Sequence, residues 1–131
     1  MTVLEQLAEF VADAEGKYVH SKWLEDDKMR VYVRRGVHHL DGKMRICLDI
    51  ASVTVYEEQQ GTWTDFAAKA HEMNPWDCTF VECVHNEHLA SWLLRSGFTP
   101  TEAMESFYLP KNMETWGDKN SKIPRVGRNF F

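Results

Sequence analysis

The chain has 131 residues, of which 44% are hydrophobic and 12% aromatic, and it carries a formal net charge of −5. This length provides for one hydrophobic core, and this composition excludes an intrinsically disordered chain. Residues 1–110 are predicted to form a single acidic domain, and residues 111–131 a basic C-terminal tail. Because an acidic body repels phosphate backbones, we expect an amine-bearing substrate and no nucleic-acid partner.

The sequence contains no pattern that indicates export or membrane insertion. Residues 1–5 lack the basic and apolar segments of a secretory signal, and no apolar run approaches the roughly 18 residues that a membrane span needs. Cys47, Cys78 and Cys83 are an odd number of cysteines, which argues against a disulfide framework. We therefore expect a cytoplasmic protein that has no membrane partner.

Helical and strand patterns alternate along the chain. Thr2 and Glu5 have the spacing of a helix-capping box, and Asp41-Gly42 is a hairpin turn signal between two strands that we expect to pair antiparallel. The predicted elements are a helix over residues 3–15, strands over 29–40 and 43–56, a helix over 63–73, a strand over 78–84, a helix from 86 to 97 and a strand over 99–109.

The predicted helix over residues 86–97 carries the most specific motif. Asn86 is suited to cap this helix, and it stands eleven residues before Gly97-Phe98, where a glycine ends the helix. Residues 81–98 as a whole resemble the second conserved motif of the GNAT (N-acetyltransferase) superfamily. The resemblance implies the GNAT fold, an α/β (α+β) architecture with a mixed central sheet flanked by helices.

A second, shorter resemblance lies upstream of this motif. Residues 48–63 resemble the strand and pyrophosphate loop of the same family, so that the likeness covers about residues 29–109. Glu58 and Trp63 depart from the family's loop pattern, and Trp63 is similar to the aromatic residue found there in short bacteriophage-encoded members. Together the two motifs imply a transferase that moves an acetyl group from acetyl-CoA to an amine of a protein or small molecule.

The resemblance also implies which residues bind acetyl-CoA. A glycine loop that opens a helix offers backbone amides to a pyrophosphate, and Gly61 lets the backbone approach closely. The predicted cofactor-binding residues are Val53, Val55, Gln60, Gly61, Thr62, Trp63, Thr64 and Asn86.

Three further residues are candidates for the chemistry itself. Acetyl transfer requires a base that takes a proton from the amine, and Asp49 or Glu82 can supply it directly or through water. Tyr108 on the last predicted strand is the candidate acid, because Leu93 stands where the family usually has a tyrosine. Each of these is open to an ordinary structural role, as a paired or solvated strand carboxylate or as a strand aromatic.

The sequence leaves two alternatives to an enzyme open. A GNAT-fold protein without catalytic activity would act by binding another protein, and Glu58, Trp63 and Leu93 motivate that hypothesis. The second alternative is a structural component of a virus particle. If the chain is phage-encoded, its acceptor is expected to be a host protein in the host cytoplasm, and a homodimer is left open.

The histidines and cysteines do not have the spacing of a metal site. Cys78, Cys83, His85 and His88 are expected on different faces of a strand and a helix, which matches none of the usual paired ligand spacings. We therefore predict no metal. His38-His39 is expected on a solvated edge, where it has no further role.

Overall fold

The computed structural model of the protein describes residues 1–15, 20–57, 61–82, 84, 86–102 and 105–112. Nearly all of the predicted tail therefore lies outside the described residues. The helices are α1 (Val3–Ala14), α2 (Thr62–Met73) and α3 (Glu87–Arg95), and the strands are β1 (His20–Glu25), β2 (Met29–Leu40), β3 (Lys43–Val55), β4 (Cys78–Val81), β5 (Thr99–Pro100) and β6 (Phe107–Pro110). In the part of the chain that is described, no helix is long and apolar enough to cross a membrane.

The six strands form one mixed sheet in the order β1-β2-β3-β4-β6-β5. The hairpin of β2 and β3 is antiparallel and turns at Asp41-Gly42, as the sequence predicts. β3 and β4 are parallel, and α2 forms the crossover between them. The remaining pairs are antiparallel.

The described helices pack on one face of the sheet, which we call the helix-covered face. Buried side chains of α1, α2 and α3 join strand residues there in the main hydrophobic core. The strand residues of this core are Leu24, Met29, Val31, Val33, Leu48, Ile50, Val81 and Phe107. This face therefore buries most of the apolar surface, the dominant favourable contribution to folding.

The other face, which we call the second face, holds a smaller cluster. Leu40, Cys47, Cys78 and Phe80 are buried in it, and Tyr108 packs against them. All five are strand residues, and no described helix contributes to this cluster. The second face also carries Asp49, the register partner of Phe80.

A β-bulge interrupts the pairing of β2 with β3. Val33 pairs with Ile50 and Tyr32 with Ser52, so that Ala51 is an extra residue in β3. Side chains alternate between the faces of a strand, and one extra residue reverses that alternation. Val53 and Val55 consequently pack against the core of the helix-covered face.

The structure differs from the sequence prediction in three strands, the first of which is β4, which ends at Val81 and not at Val84. β1 was not predicted, because in a strand at the edge of the sheet only Leu24 is buried. The single strand expected over residues 99–109 is instead two strands, β5 and β6, which pair with each other. The capping predictions are confirmed: Thr2 and Glu5 form a capping box, and the Asn86 side chain accepts from the N–H groups of His88 and Leu89.

Candidate functional site

The parallel strands β3 and β4 separate at Glu82. The N–H of Glu82 donates to the carbonyl of Ile50 at 3.0 Å, and two residues later the N–H of Val84 donates to the carbonyl of Glu105. β3 itself continues to Val55 against β2. A gap therefore opens between the end of β3 and the chain that leads to α3.

A cavity of about 670 Å³ lies at this gap. Its volume falls in the range of small-molecule and cofactor sites. It is lined by Val53, Thr54, Val55, Gly61, Thr62, Trp63, Thr64, Asn86, His88, Leu89, Ser91, Trp92 and Arg95. Every cofactor-binding residue predicted from the sequence lines it except Gln60, which lies outside the described residues, as does Glu58.

The N-terminus of α2 forms one end of the cavity. Gly61 precedes the helix with φ of 76°, a left-handed conformation that glycine adopts without strain, and among the described residues no side chain caps the helix there. The helical bonding begins with the N–H of Asp65, which donates to the carbonyl of Gly61. The N–H groups of the first turn are therefore available to an anion, and the helix dipole favours one at this point.

Aromatic side chains form the cavity wall between α2 and α3. The Trp63 ring meets Trp92 edge to face at a centroid distance of 5.6 Å and lies 6.2 Å from Phe66. Trp63 Nε1 is buried, and no described residue accepts a hydrogen bond from it. Because buried N–H groups are normally paired, this donor is suited to an acceptor on a bound molecule.

The side of α3 that faces the cavity carries two basic residues that the sequence analysis did not identify as binding residues. His88 and Arg95 line the cavity together with Ser91 and Trp92. Their spacing of three, four and seven residues places them on one side of a helix. That spacing is visible in the sequence, but its significance depends on which side of α3 meets the gap.

A second polar group lies on the second face, beside the point where β3 and β4 separate. The Nε of Arg34 donates to the Asp49 carboxylate at 3.0 Å, and its Nη2 donates to the Glu82 carboxylate. Asp49 is fully buried, whereas the Glu82 side chain is 15% exposed and Arg34 35% exposed. Burial disfavours the charged guanidinium, but the hydrogen bonds to Asp49 and then to Glu82 outweigh it and raise the pKa of Arg34.

His38 belongs to the same group and is partly buried, so the prediction that it lies on a solvated edge is wrong for this residue. Its Nε2 lies 2.9 Å from both carboxylate oxygens of Asp49, and its ring stacks on Phe80 at a centroid distance of 3.8 Å. The antiparallel pairing of β2 with β3 places His38 beside this carboxylate, a contact that local sequence patterns do not reveal. His39 is exposed, as expected.

Three residues of this group have the composition of a metal site. His38, Asp49 and Glu82 place ligand atoms within 4.8 Å of one another, a set that differs from the cysteines and histidines considered in the sequence. Imidazole and carboxylate ligands suit several divalent ions. Arg34 already bonds both carboxylates, however, so a cation is present at this position.

Tyr108 lies apart from the cavity. It is the register partner of Phe80 on β6 and packs against the hydrophobic cluster of the second face. It does not line the cavity, and neither do Asp49 and Glu82, the two candidate bases, which Arg34 brings together on the second face. Leu93 is fully buried in the main core.

Comparison with solved structures identifies a protein of the same fold. The chain aligns with the AtaT Y144F mutant toxin, in a structure where that toxin is bound to the C-terminus of the antitoxin AtaR and to acetyl-CoA, with a TM-score of 0.54. The identity is 15%, and the match covers 69% of this chain and 61% of the length of that protein. No family model and no curated protein matches the chain. The protein has the GNAT fold, as the sequence motifs predict.

Proposed function

We propose that the protein is an acetyltransferase that binds acetyl-CoA in the cavity between β3, α2 and α3 and transfers its acetyl group to an amine. The observation that carries this proposal is the helix N-terminus of α2, which Gly61 opens without a capping side chain at the end of a cavity of about 670 Å³. A pyrophosphate is one of the anions that such a helix end is suited to bind. The fold and the acetyl-CoA bound to AtaT support the same assignment.

The remaining walls of the cavity fit the other parts of acetyl-CoA. The edge of β3 at Val53 and Val55 offers an extended backbone to the amides of the pantetheine arm. Trp63 Nε1 offers a donor, the His88 ring offers a further polar group, and Arg95 brings positive charge toward the phosphates. This positive charge offsets part of the acidic character of the chain as a whole.

Glu82 is the proposed base, acting directly or through water. It stands where β3 and β4 separate and its side chain is 15% exposed, whereas Asp49 behind it is fully buried and bonded to Arg34 and His38. The amine nitrogen attacks the thioester carbonyl, the C–N bond forms, the C–S bond breaks, and the amine proton passes to Glu82. No dedicated acid is needed, because thiolates are good leaving groups. Solvent water then protonates the CoA thiolate.

Binding of coenzyme A is the first test. Isothermal titration should give a saturable heat for the wild type, and Gly61→Val should abolish it, because a side chain at φ of 76° strains the loop. Gly42→Val is the matched control, since Gly42 has φ of 82° in the β2–β3 turn, away from the cavity. No heat with the wild type at millimolar coenzyme A would contradict the proposal.

The charge on α3 gives a second comparison within the same titration. Arg95→Glu should weaken coenzyme A binding about tenfold or more, since one attractive charge becomes a repulsive one near the phosphates. Lys69→Glu, an exposed reversal on α2 that does not line the cavity, should leave affinity nearly unchanged. Equal weakening by both variants would assign the effect to overall charge alone.

Acetyl transfer itself is tested with radiolabelled acetyl-CoA and a bacterial cell extract as the source of acceptors. We expect label to enter protein or small amines, and Glu82→Gln to slow this incorporation about a hundredfold or more. Glu87→Gln, an exposed change at the start of α3, is the control. If the substrate is a host protein of a phage, the label should appear in one or a few protein bands.

A second candidate function is that of a GNAT-fold protein that has lost catalysis and binds another protein. Leu93 has no hydroxyl, and Tyr108 does not line the cavity, so neither can donate a proton there. The bound antitoxin segment in the AtaT structure supports a protein partner. Coenzyme A binding without any incorporation of label, together with a stable partner of unchanged mass, would favour this function over the enzyme.

A further inference from the structure

On the second face, the Asp49 carboxylate is contacted by His38 and Arg34 on two sides and lies against Gly36 on the third. His38 Nε2 lies 2.9 Å from each of its oxygens, and the His38 ring is itself fixed by stacking on Phe80 with an interplanar angle of 10°. Gly36 leaves the space on the third side, since a Cβ there would lie 2.1 Å from Asp49 Oδ2. The carboxylate is fully buried and has little freedom to turn.

The position of Asp49 determines the position of Arg34. The guanidinium is planar and rigid, so fixing its Nε also fixes the direction in which its other nitrogens point. Arg34 Nε bonds Asp49 at 3.0 Å and Arg34 Nη2 bonds Glu82. A displacement of Asp49 is therefore transmitted through Arg34 to the Glu82 carboxylate.

We propose that His38 is a positioning residue which, through Asp49 and Arg34, orients Glu82 toward the proton of the acceptor amine. The role of Glu82 as base rests on the proposed function, whereas the linkage from His38 to Arg34 rests on geometry alone. His38 takes no proton from the substrate in this scheme. Its contribution is to keep the buried carboxylate in the one orientation that directs Arg34 to Glu82.

Two substitutions separate this role from simple packing. His38→Gln keeps an N–H donor at the end of a side chain of similar reach, and His38→Leu keeps the apolar contact with Phe80 but removes the donor. His39→Leu is the matched control, since His39 is the exposed neighbour. Thermal unfolding of all three variants verifies that each is folded before activity is compared.

The transfer assay with labelled acetyl-CoA and bacterial extract then distinguishes them. At saturating acetyl-CoA, His38→Leu should lower the rate about tenfold to a hundredfold, which is the cost of a misplaced catalytic group. The KM for acetyl-CoA should stay unchanged, because the cavity lies elsewhere. His38→Gln should recover most of the rate. A wild-type rate in His38→Leu, or no recovery in His38→Gln, would overturn the proposal.

A second measurement needs no enzymatic activity. The Nε–H resonance of Arg34 in a ¹⁵N-labelled sample reports its bond to Asp49, and it should shift in His38→Leu and return in His38→Gln. An unchanged resonance in His38→Leu refutes the linkage and leaves the transferase proposal intact. A shifted resonance in a protein that transfers no acetyl group supports the linkage and contradicts the proposed function.

Gly36→Ala provides an independent route to the same carboxylate. The added Cβ must displace Asp49, so this variant should shift the Arg34 resonance in the same way. Because both changes act through one side chain, the double variant Gly36→Ala/His38→Leu should be no slower than the slower single variant. Fully additive effects of the two changes would show that they act separately and would overturn the proposal.

Discussion

The two faces of the sheet bury different kinds of residue. The helix-covered face is apolar and continuous, with residues of all three described helices packed against the strands in one core. The second face has only a small apolar cluster, and beside it lie an arginine, a histidine and two carboxylates that are bonded to one another. The comparison indicates that one face supplies most of the stability and leaves the other free to carry charge.

Ionisable groups on the two faces differ accordingly. His71 of α2, whose Nδ1 lies 2.8 Å from Thr79 Oγ1, is half-buried beneath the helix, and burial followed by the charge of Lys111 lowers its pKa to about 4. Arg34 on the second face keeps its charge, and its pKa is raised by the carboxylates. Desolvation therefore sets the direction of the pKa shift of His71 on the helix-covered face, whereas bonds to carboxylates set that of Arg34 on the second face.

The largest effect that would test this comparison is expected in the main core. Phe66→Ala removes a ring that is 2% exposed on α2, and we expect the free energy of unfolding to fall by about 4 kcal/mol. Denaturant unfolding measures the change. Met44→Ala, at a side chain that is 62% exposed, should cost less than about 0.5 kcal/mol. Equal losses would contradict the assignment of stability to the helix-covered face.

A smaller loss is expected when the charge pairing of the second face is broken. Asp49→Asn keeps the size of the side chain but removes the charge that Arg34 and His38 contact, and we expect a loss of about 3 kcal/mol. Asp27→Asn, an exposed change in the β1–β2 turn, is the control in the same denaturant series. A stability at or above that of the wild type would mean that the pairing does not repay the burial of this carboxylate.

The smallest effect concerns His71 and depends on pH. Its pKa is about 4 in the folded protein and 6.5 ordinarily, so the unfolded chain binds the proton more readily. The stability that this neutral histidine provides is complete above pH 6.5 and is lost as the pH falls toward 4, by on the order of 2 kcal/mol. Unfolding at several pH values should show a weaker acid dependence in His71→Asn than in the wild type. His39→Asn should leave that dependence unchanged.

Most of the fold follows from local patterns in the sequence. The capping box at Thr2, the hairpin turn at Asp41-Gly42 and the Asn86 motif each specify backbone geometry within a few residues, and the structure has all three. β1 has no such signal, because its neighbour β2 and helix α1 bury only one of its side chains. An edge strand of this kind is defined by its partners more than by its own residues.

The candidate site likewise has one part that the sequence predicts and one part that only the structure reveals. The residues around Gly61 and Asn86 that line the cavity follow from motifs that are continuous in the chain. The group on the second face does not, because it joins β2, β3 and the end of β4 through contacts between residues up to 48 positions apart. His38 was misassigned for that reason, and the importance of Gly36 depends on a carboxylate thirteen residues away.

The bulge at Ala51 has a consequence for insertions and deletions in β3. Ile50 and Val53 project to the same side of the sheet only because an unmatched residue lies between the pairs on either side of it. Deleting Ala51 would restore regular pairing with the same register partners on both sides of it, because Ser52 alone would then separate Ile50 from Val53. Val53 and Val55 would therefore stay against the cavity and the core, so Ala51 is the position at which β3 can lose a residue without exchanging its faces.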